Sequence, residues 1–208
     1  MARLGRPRSF DREDALLRAM KVFWALGYEG ATLTDLQKAM GDITAPSFYA
    51  AFGSKEELFR EAVELYSRTL GAPMMKALAA GTTARASIEA LLDAAVESFC
   101  KPGAPRGCLL VLGAINSMPA NKSVQEYLRG LRARRQKTIR QRLQRAATEG
   151  ELPSGLDSGA LASFFTTVVD GLAIQARDGA SRKALQFAAR CAMASWDTLV
   201  AEAAPANP

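Results

Sequence analysis

Cys108 is the side chain of this sequence with the clearest covalent chemistry. It follows Arg106 and Gly107 at the start of an apolar run, which predicts a place in the first turn of a helix beside a cation. A helix N-terminus and a nearby guanidinium both lower the pKa of a thiol, and a thiolate reacts with oxidants and electrophiles. The alternative is a buried structural cysteine among the leucines that follow it.

Histidine is absent from the 208 residues, and its absence excludes two common catalytic arrangements. Neither a Ser-His-Asp triad nor a Cys-His pair can form, so an enzyme built on Cys108 would lack an activating base. Cys100, Cys108 and Cys191 show no C-x-x-C spacing, which argues against a zinc site and a disulfide framework. We therefore expect a cytoplasmic protein that is not an enzyme and holds no metal or other cofactor.

Hydrophobic periodicity predicts an all-α protein of about nine helices, because apolar residues recur at three- and four-residue steps. Gly27 is expected to end the first helix, and capping boxes at Thr34 and Ser54 to begin two others. Thr44 is expected to cap the short helix between them. The expected helices are 11–27, a short one from 34 to 41, one after Thr44, 54–80, 84–101, 107–118, 121–149, 157–178 and 181–203.

Three aromatic residues lie in the short helix after Thr44. Phe48 and Phe52 are four residues apart and share one helix face, so we expect both to pack in a core with Phe23, Leu26 and Leu36. Tyr49 lies about 100° around the helix and is expected to point outward. Short helices in this order predict a helix-turn-helix arrangement that can approach DNA. The alternative is that Tyr49 only packs at a helix boundary.

The N-terminal segment concentrates its charge in Arg3, Arg6 and Arg8. Residues 1–60 contain nine Lys or Arg and eight Asp or Glu, so the region as a whole is only slightly basic. Arginines in the extended Gly5–Arg8 stretch could insert into a narrow minor groove. The alternative is a solubilising tail.

Residues 10–60 resemble the DNA-binding domain of the tetracycline-repressor (TetR) family of bacterial transcription regulators. The motifs that match are Phe23-Trp24-Ala25-Leu26-Gly27-Tyr28, Thr32-Leu33-Thr34-Asp35-Leu36 and the run from Ser47 to Phe59. Two departures affect docking. The turn at 40–44 is one residue longer than usual, and Ala45 stands where many members carry a longer polar or basic side chain.

The resemblance implies a DNA-binding domain at 1–60 and an effector-binding and dimerisation domain at 61–208. It also implies a homodimer that binds a palindromic operator and is released from it by a small molecule. Such a regulator is most often a repressor. Lys55 additionally suits a phosphate, because a cation there adjoins the free amides of a helix start. The positions expected to lie at DNA, besides the arginines above, are Thr34, Thr44, Ala45, Pro46, Ser47, Tyr49 and Lys55.

Residues 121–150 hold nine Lys or Arg against two Asp or Glu. This stretch is either a second nucleic-acid surface or a long helix with a solvated face, and its apolar stripe favours the helix. Arg135 interrupts that stripe between Leu131 and Ile139. It either extends outward to solvent or faces an interior cavity and an anionic group.

The last two predicted helices are apolar on more than one face, which predicts a dimer interface, although a purely intramolecular core would explain the same pattern. The interface residues expected are Phe164, Val168, Leu172, Ala189, Met193, Trp196 and Val200. The pocket residues expected are Phe99, Cys108, Leu112, Asn116, Arg135 and Phe165.

We therefore expect a ligand-responsive transcription regulator. The alternatives are a regulator that senses electrophiles or oxidants through Cys108, and an all-helical interaction module or enzyme that does not bind DNA.

Overall fold

The computed structural model describes residues 10–115 and 118–203, and in these ranges all regular secondary structure is helical. A 3₁₀ turn at Pro119–Asn121 joins α7 to α8. The α-helices are α1 (Arg12–Gly30), α2 (Leu33–Ala39), α3 (Ala45–Phe52), α4 (Lys55–Thr69), α5 (Ala72–Ala80), α6 (Ala84–Phe99), α7 (Leu109–Leu112), α8 (Lys122–Thr148), α9 (Ser158–Arg177), α10 (Arg182–Ala194) and α11 (Trp196–Glu202). The predicted all-α class is confirmed.

Three of the predicted helices are divided or shortened in the structure. The expected helix 54–80 is two helices, since α4 ends at Thr69 and α5 begins after Gly71 with Pro73 in its first turn. The expected helix 107–118 is reduced to the four residues of α7. The expected helix 181–203 breaks at Ser195, whose hydroxyl donates to the carbonyl of Ala192 at 2.8 Å and so competes with the helical pattern.

Thr32, and not Thr34, caps α2. The Thr32 hydroxyl oxygen accepts from the Asp35 amide at 3.1 Å, and the Asp35 carboxylate accepts from the Thr32 amide at 3.0 Å. The Asp35 carboxylate also accepts from the Thr32 hydroxyl at 2.5 Å, and this bond, followed by the one from the Thr32 amide, lowers the pKa of Asp35. The pair is a capping box with aspartate in the third position, which is why a search for Glu or Gln placed the start two residues late.

The core of the N-terminal three helices contains Phe23, Leu36, Phe48 and Phe52, all buried as predicted. Leu26 was expected to join them but is 52% exposed. Helix α1 packs along α4 and contacts α2, so α4 connects this core to the rest of the molecule.

The larger core lies among α6, α8, α9 and α10. Helix α8 contributes the predicted stripe, in which Val124, Leu128, Ile139 and Leu143 are buried. Helix α9 is long and apolar enough to cross a membrane by length and composition, but it packs here against α6, α8 and α10. Those contacts give α9 the role of a core helix.

Candidate DNA-binding surface and effector cavity

Helix α3 is short, and local contacts fix both its start and its inner face. The Thr44 hydroxyl accepts from the Ser47 amide at 3.3 Å, so Thr44 is the N-cap as predicted. Pro46 lies in the first turn, where its missing amide hydrogen removes no helical bond. Phe48 and Phe52 anchor the inner face, which leaves Pro46 and Tyr49 exposed on the outer face.

Arg12 holds the C-terminal end of α3. Its Nη2 donates to both carboxylate oxygens of Glu61, at 2.6 and 2.7 Å, and its Nε donates to the Ala51 carbonyl at 3.3 Å. Its guanidinium also lies 4.6 Å from the centre of the Phe52 ring. One side chain therefore joins α1, α3 and α4. Sequence reasoning missed this contact, because residues 39 and 49 positions away carry no local signal.

The turn between α2 and α3 has two consecutive residues with positive φ, Gly41 at 93° and Asp42 at 56°. The Gln37 side chain closes the turn by donating to the Ile43 carbonyl at 3.1 Å. The extra residue noted in the sequence is thus accommodated in a hydrogen-bonded turn.

The described residues expected at DNA lie on α2, α3 and the first turn of α4 or immediately before them. Thr34, Thr44, Pro46 and Tyr49 are exposed, and the exposed fraction of Tyr49 is 52%. Ala45, Ser47 and Lys55 are half-buried. Arg3, Arg6 and Arg8 lie outside the described residues.

Lys55 is less free than its sequence position suggests. Its ammonium lies 4.4 Å from the centre of the Tyr28 ring, and partial burial lowers its pKa while Glu29 raises it. Tyr28 belongs to the last turn of α1, so Lys55 connects the start of α4 to the end of α1. A phosphate that contacts Lys55 would therefore contact this junction.

A cavity of about 240 Å³ lies between α4, α5, α8 and the segment that begins at Cys108. Its wall is mainly apolar and includes two arginines. The lining residues are Tyr66, Ser67, Gly71, Met74, Met75, Cys108, Leu110, Leu131, Arg134, Arg135 and Thr138.

Tyr66 and Cys108 form the deeper polar part of this cavity, and both are buried. Burial raises the pKa of the Tyr66 phenol, and the neighbouring Cys108 thiol raises it further. The expected pairing of Arg106 with Cys108 is not observed. The Arg106 guanidinium instead donates to Cys100 Sγ at 3.5 Å and to the Ala180 carbonyl.

Arg135 faces inward, which decides between the two orientations expected from its place in the α8 stripe. Its side chain is 7% exposed and pairs with the half-buried carboxylate of Asp170 on α9. Its Nε has no hydrogen-bond partner among residues 10–115 and 118–203. Arg135 also lines the cavity, so a buried cation with one unsatisfied donor adjoins empty space.

Only some of the residues expected in the pocket line this cavity. Cys108 and Arg135 do, whereas Phe99 and Phe165 are core residues with no exposed surface. Leu112 lines a different recess, next to Gly27 and Arg177. Asn116 lies outside the described residues.

The sequence reasoning also missed several lining residues. The adjacent methionines Met74 and Met75 were a usable signal, because methionine adapts to irregular cavities. The missed residues are Tyr66, Ser67, Gly71, Met74, Met75, Leu110, Leu131, Arg134 and Thr138.

The segment from Gly107 to Gly113 joins the cavity to α1. The Tyr28 amide donates to the Gly113 carbonyl at 2.7 Å, and Trp24 Nε1 donates to the Gly107 carbonyl at 3.2 Å. Gly107 has φ of 86°, and a Cβ there would lie 2.6 Å from the Ala173 carbonyl oxygen, so the close approach of this segment to α9 requires glycine.

Arg177, at the end of α9, also contacts the junction at which α1 meets the segment that begins at Gly107. It donates to the Ala25 carbonyl at 2.6 Å, to the Trp24 carbonyl and to the Arg106 carbonyl at 3.0 Å. The carbonyls of Trp24 and Ala25 precede Gly27, where the helix is interrupted as predicted, with φ of 72° and ψ of 175°, before helical residues resume to Gly30. Arg177 therefore satisfies main-chain acceptors at the kink.

Glu29 lies at the same junction. Its Oε1 accepts from Asn121 Nδ2 and from the Met118 amide, both at 2.8 Å. These bonds lower the pKa of Glu29, with that from Asn121 contributing most. The end of α1 is thus bonded to Gly113 and also to Met118 and Asn121.

The predicted dimer residues divide by burial. Leu172, Ala189, Met193 and Trp196 are buried within the protomer, and Trp196 packs 5.7 Å from Phe165 between ring centres. Little surface of these four side chains remains for a partner, because a helix that is apolar all round places some residues in its own core. Phe164, Val168 and Val200 are half-buried.

An apolar groove runs between α9 and α10, with a volume of about 460 Å³. Phe187, beside it on α10, is 62% exposed, and Ile174 in its wall is 41% exposed. The residues that line the groove are Val168, Gly171, Leu172, Ile174, Gln175, Ala180, Ala184, Leu185, Ala188 and Ala192.

Two family models match the chain. Residues 15–62 match the model described as bacterial regulatory proteins, tetR family, and residues 84–193 match the model described as tetracyclin repressor-like, C-terminal domain. The first match spans the helices that carry the candidate DNA surface, and the second spans α6–α10.

Several named proteins are similar over most of the chain. The HTH-type transcriptional repressor ComR of Escherichia coli K12 is 34% identical over 94% of this chain and 93% of its own length. The repressor BdcR of the same organism is 29% identical over 91% of this chain and 90% of its own length. A cysteine variant of the TetR family regulator CifR, solved with 26-bp double-strand operator DNA, is 42% identical, with a TM-score of 0.88 over 92% of this chain and 100% of that one.

Proposed function

The chain belongs to the TetR family of bacterial regulatory proteins, and from that premise we propose that it is a cytoplasmic, homodimeric transcriptional repressor released from a palindromic operator by a small molecule. Residues 1–60 form its DNA-binding domain, and residues 61–208 bind the effector and the second protomer. Similarity to ComR and to DNA-bound CifR supports the repressor assignment.

Helix α3 enters the major groove of the operator. Its outer face is small apart from Tyr49, so its backbone can approach the bases closely while the Tyr49 hydroxyl reaches a base edge or phosphate. Thr44, Ser47 and Lys55 contact phosphates beside it. Ala45 and Pro46 supply close apolar contact, Thr34 on α2 contacts the flanking backbone, and the arm with Arg3, Arg6 and Arg8 reads the minor groove.

Two protomers pair through α9 and α10. The groove between these helices is apolar and lined largely by small residues, which allow helices of a partner to approach closely. Ile174 and Phe187 provide the exposed large apolar side chains of this surface. Pairing there places the two α3 helices so that each reads one half of the operator, in successive major grooves about 34–36 Å apart.

The effector binds in the cavity beside Tyr66 and Arg135, and the Gly107–Gly113 segment transmits its presence. Cys108 and Leu110 of this segment line the cavity, while Gly107 and Gly113 accept hydrogen bonds from α1. This dual contact is the observation that supports the switch most strongly. A ligand that moves the segment changes the bonds that hold the DNA-binding helices, and so shifts the population toward a spacing that no longer matches the operator.

Electrophile sensing through Cys108 is a second candidate, because the thiol lines the cavity that an effector would enter. Burial of Cys108 and the turn of Arg106 toward Cys100 favour the non-covalent effector. Operator release by an alkylating agent in wild-type protein, lost in Cys108→Ser, would favour covalent sensing.

The proposed function is tested by selecting operator fragments from random DNA, and then measuring their release in a library of small molecules. Met75→Trp, which adds bulk at a half-buried cavity wall, should bind the selected operator normally but fail to release it with any active compound. A released operator in Met75→Trp would place the effector elsewhere, and the absence of any selected sequence would contradict DNA binding itself.

A further inference from the structure

The cavity residues also indicate the class of effector, an inference that rests on the proposed function. Apolar side chains such as Met74, Met75 and Leu131 make up much of the wall, so the body of the ligand is apolar. A cavity of about 240 Å³ is small for a binding site, which limits the ligand to a compact or short-chain molecule.

One buried group in this wall requires a hydrogen-bond acceptor. The Arg135 side chain is more than nine-tenths buried, and its Nε–H has no partner among the residues that the structure describes. A buried donor without an acceptor lowers stability, and a ligand oxygen that accepts this hydrogen would remove that deficit. A guanidinium donor forms stronger hydrogen bonds to an anion than to a neutral oxygen.

The charged side chains around the cavity determine which charge is favoured on the ligand group that accepts this hydrogen bond. Arg134 lines the cavity with Arg135, and Arg132 lies nearby with its side chain donating to the Leu110 carbonyl at 2.6 Å. Asp170 compensates only one of these cations through its pair with Arg135. The excess is positive, so an anionic ligand is favoured over a neutral one, and the Asp170 carboxylate offsets part of that attraction.

We propose that the effector is an apolar organic carboxylate whose oxygen accepts from Arg135 Nε and whose hydrocarbon part packs against Met74, Met75 and Leu131. Thr138 and Ser67 supply neutral hydroxyl groups at the same wall. Binding therefore places new negative charge beside the segment that contains Cys108 and Leu110, which is the segment bonded to α1.

Matched carboxylate and carboxamide pairs test this class directly. Calorimetric titration uses hexanoate with hexanamide, octanoate with octanamide, and 3-phenylpropionate with 3-phenylpropanamide. In at least one pair the carboxylate should bind about tenfold more tightly than its amide, because hydrogen bonds to charged groups are roughly twice as strong as neutral ones. If every carboxylate fails to bind at millimolar concentration, or binds no better than its amide, the proposal is overturned.

Two variants assign the selectivity to Arg135. Arg135→Gln should bind carboxylate and amide equally, whereas Arg140→Gln, which removes the same charge from an exposed position of α8, should keep the wild-type preference. Asp170→Asn removes the competing carboxylate and should raise carboxylate affinity severalfold without changing amide affinity. If Arg135→Gln does not fold, Asp170→Asn decides the matter, and unchanged carboxylate affinity there counts against the proposal.

Operator release measured in the same titrations separates this inference from the proposed function. An amide that binds as tightly as its carboxylate and releases operator would refute the anionic class while leaving the ligand-released repressor intact. A carboxylate that binds through Arg135 without releasing operator would support the class and contradict the switch.

Discussion

The main-chain amide of Tyr28, in the region that matches the tetR family model, donates a 2.7 Å hydrogen bond to the carbonyl of Gly113, in the region that matches the C-terminal domain model. Tyr28 follows the kink of α1 at Gly27, and Gly113 follows a segment in which Cys108 and Leu110 line the cavity. A movement of a few tenths of an ångström at Gly113 would therefore change the geometry of this bond. Because Tyr28 also contacts Lys55 and Phe59, such a change reaches α4.

Gly27→Ala should weaken this junction. Alanine is disfavoured at φ of 72°, and its Cβ would lie 3.4 Å from the Gly113 carbonyl oxygen. We expect the free energy of unfolding to fall by about 1–2 kcal/mol. We also expect the effector to weaken operator binding by a smaller factor in this variant than in the wild-type protein. Urea denaturation and fluorescence anisotropy measure the two quantities.

Gly30→Ala is the matched control, since Gly30 lies in the last turn of the same helix and has no positive φ. It should leave the effector response unchanged. Equal behaviour of the two alanine variants would mean that the Gly27 kink plays no part in coupling.

Tyr49→Ala should weaken operator binding at least tenfold without changing the free energy of unfolding, because the side chain is half exposed and lies on the outer face of α3. Tyr49→Phe separates the ring from the hydroxyl. Retained affinity in Tyr49→Phe would assign the contact to the ring, and full affinity in Tyr49→Ala would remove this face of α3 from the DNA surface.

Lys55→Ala should lower affinity for all DNA sequences similarly and reduce the slope of log affinity against log salt by about one, as expected for one lost phosphate contact. Lys21→Ala removes an exposed cation of α1 and serves as the control. A salt slope that is the same in both variants would show that Lys55 acts within the protein, through Tyr28.

Arg12→Met should reduce operator affinity although Arg12 need not touch DNA. Loss of its bonds to Glu61 and the Ala51 carbonyl frees the C-terminal end of α3, at a cost of about 1–2 kcal/mol in stability. Arg18→Met removes an exposed cation that pairs only with Asp14 four residues before it, and should leave both properties nearly unchanged. Wild-type affinity in a folded Arg12→Met variant would contradict the positioning role.

Two substitutions on the last helices should fail in different ways. Phe187→Asp, at an exposed apolar residue beside the groove, should give a folded monomer by sedimentation. Trp196→Ala should instead lower the free energy of unfolding by about 3–5 kcal/mol, because Trp196 is 4% exposed within the protomer. Leu17→Asp, at an exposed apolar residue of α1, controls for added charge, and a Phe187→Asp protein that stays dimeric would exclude this groove as the interface.

Lowering the pH should weaken the junction at the end of α1, because protonation of Glu29 weakens its bonds to Asn121 and Met118. Its pKa is lowered in the folded state, so its contribution to stability is complete above the ordinary value near 4.5 and is lost as the pH falls through the lowered folded pKa. Glu29→Gln should flatten this part of the pH dependence of unfolding, measured by urea denaturation between about pH 3 and 6. An unchanged profile would indicate that the bonds to Asn121 and Met118 do not persist in solution.

The family motif was readable from the sequence because its residues act locally. Thr44 caps the helix that follows it, and Phe48 and Phe52 share a face through helical spacing alone, so their roles depend only on residues a few positions away. The same locality explains the error at Thr32 and Thr34, where two threonines satisfied similar local rules and the aspartate that decided between them was not expected in that position.

Tertiary structure decided the cavity, the junction and the direction of each apolar face. Periodicity marked Arg135 as an interruption. Only the packing of α8 against α9 showed that it pairs with Asp170 and that its Nε has no partner within 10–115 and 118–203. Phe99 and Phe165 were expected in the pocket but lie in the core. Trp196 was expected at the dimer interface but packs against Phe165. Helices that are apolar on several faces contain no sequence signal for which face meets the same chain, because burial by either partner removes the same surface from water.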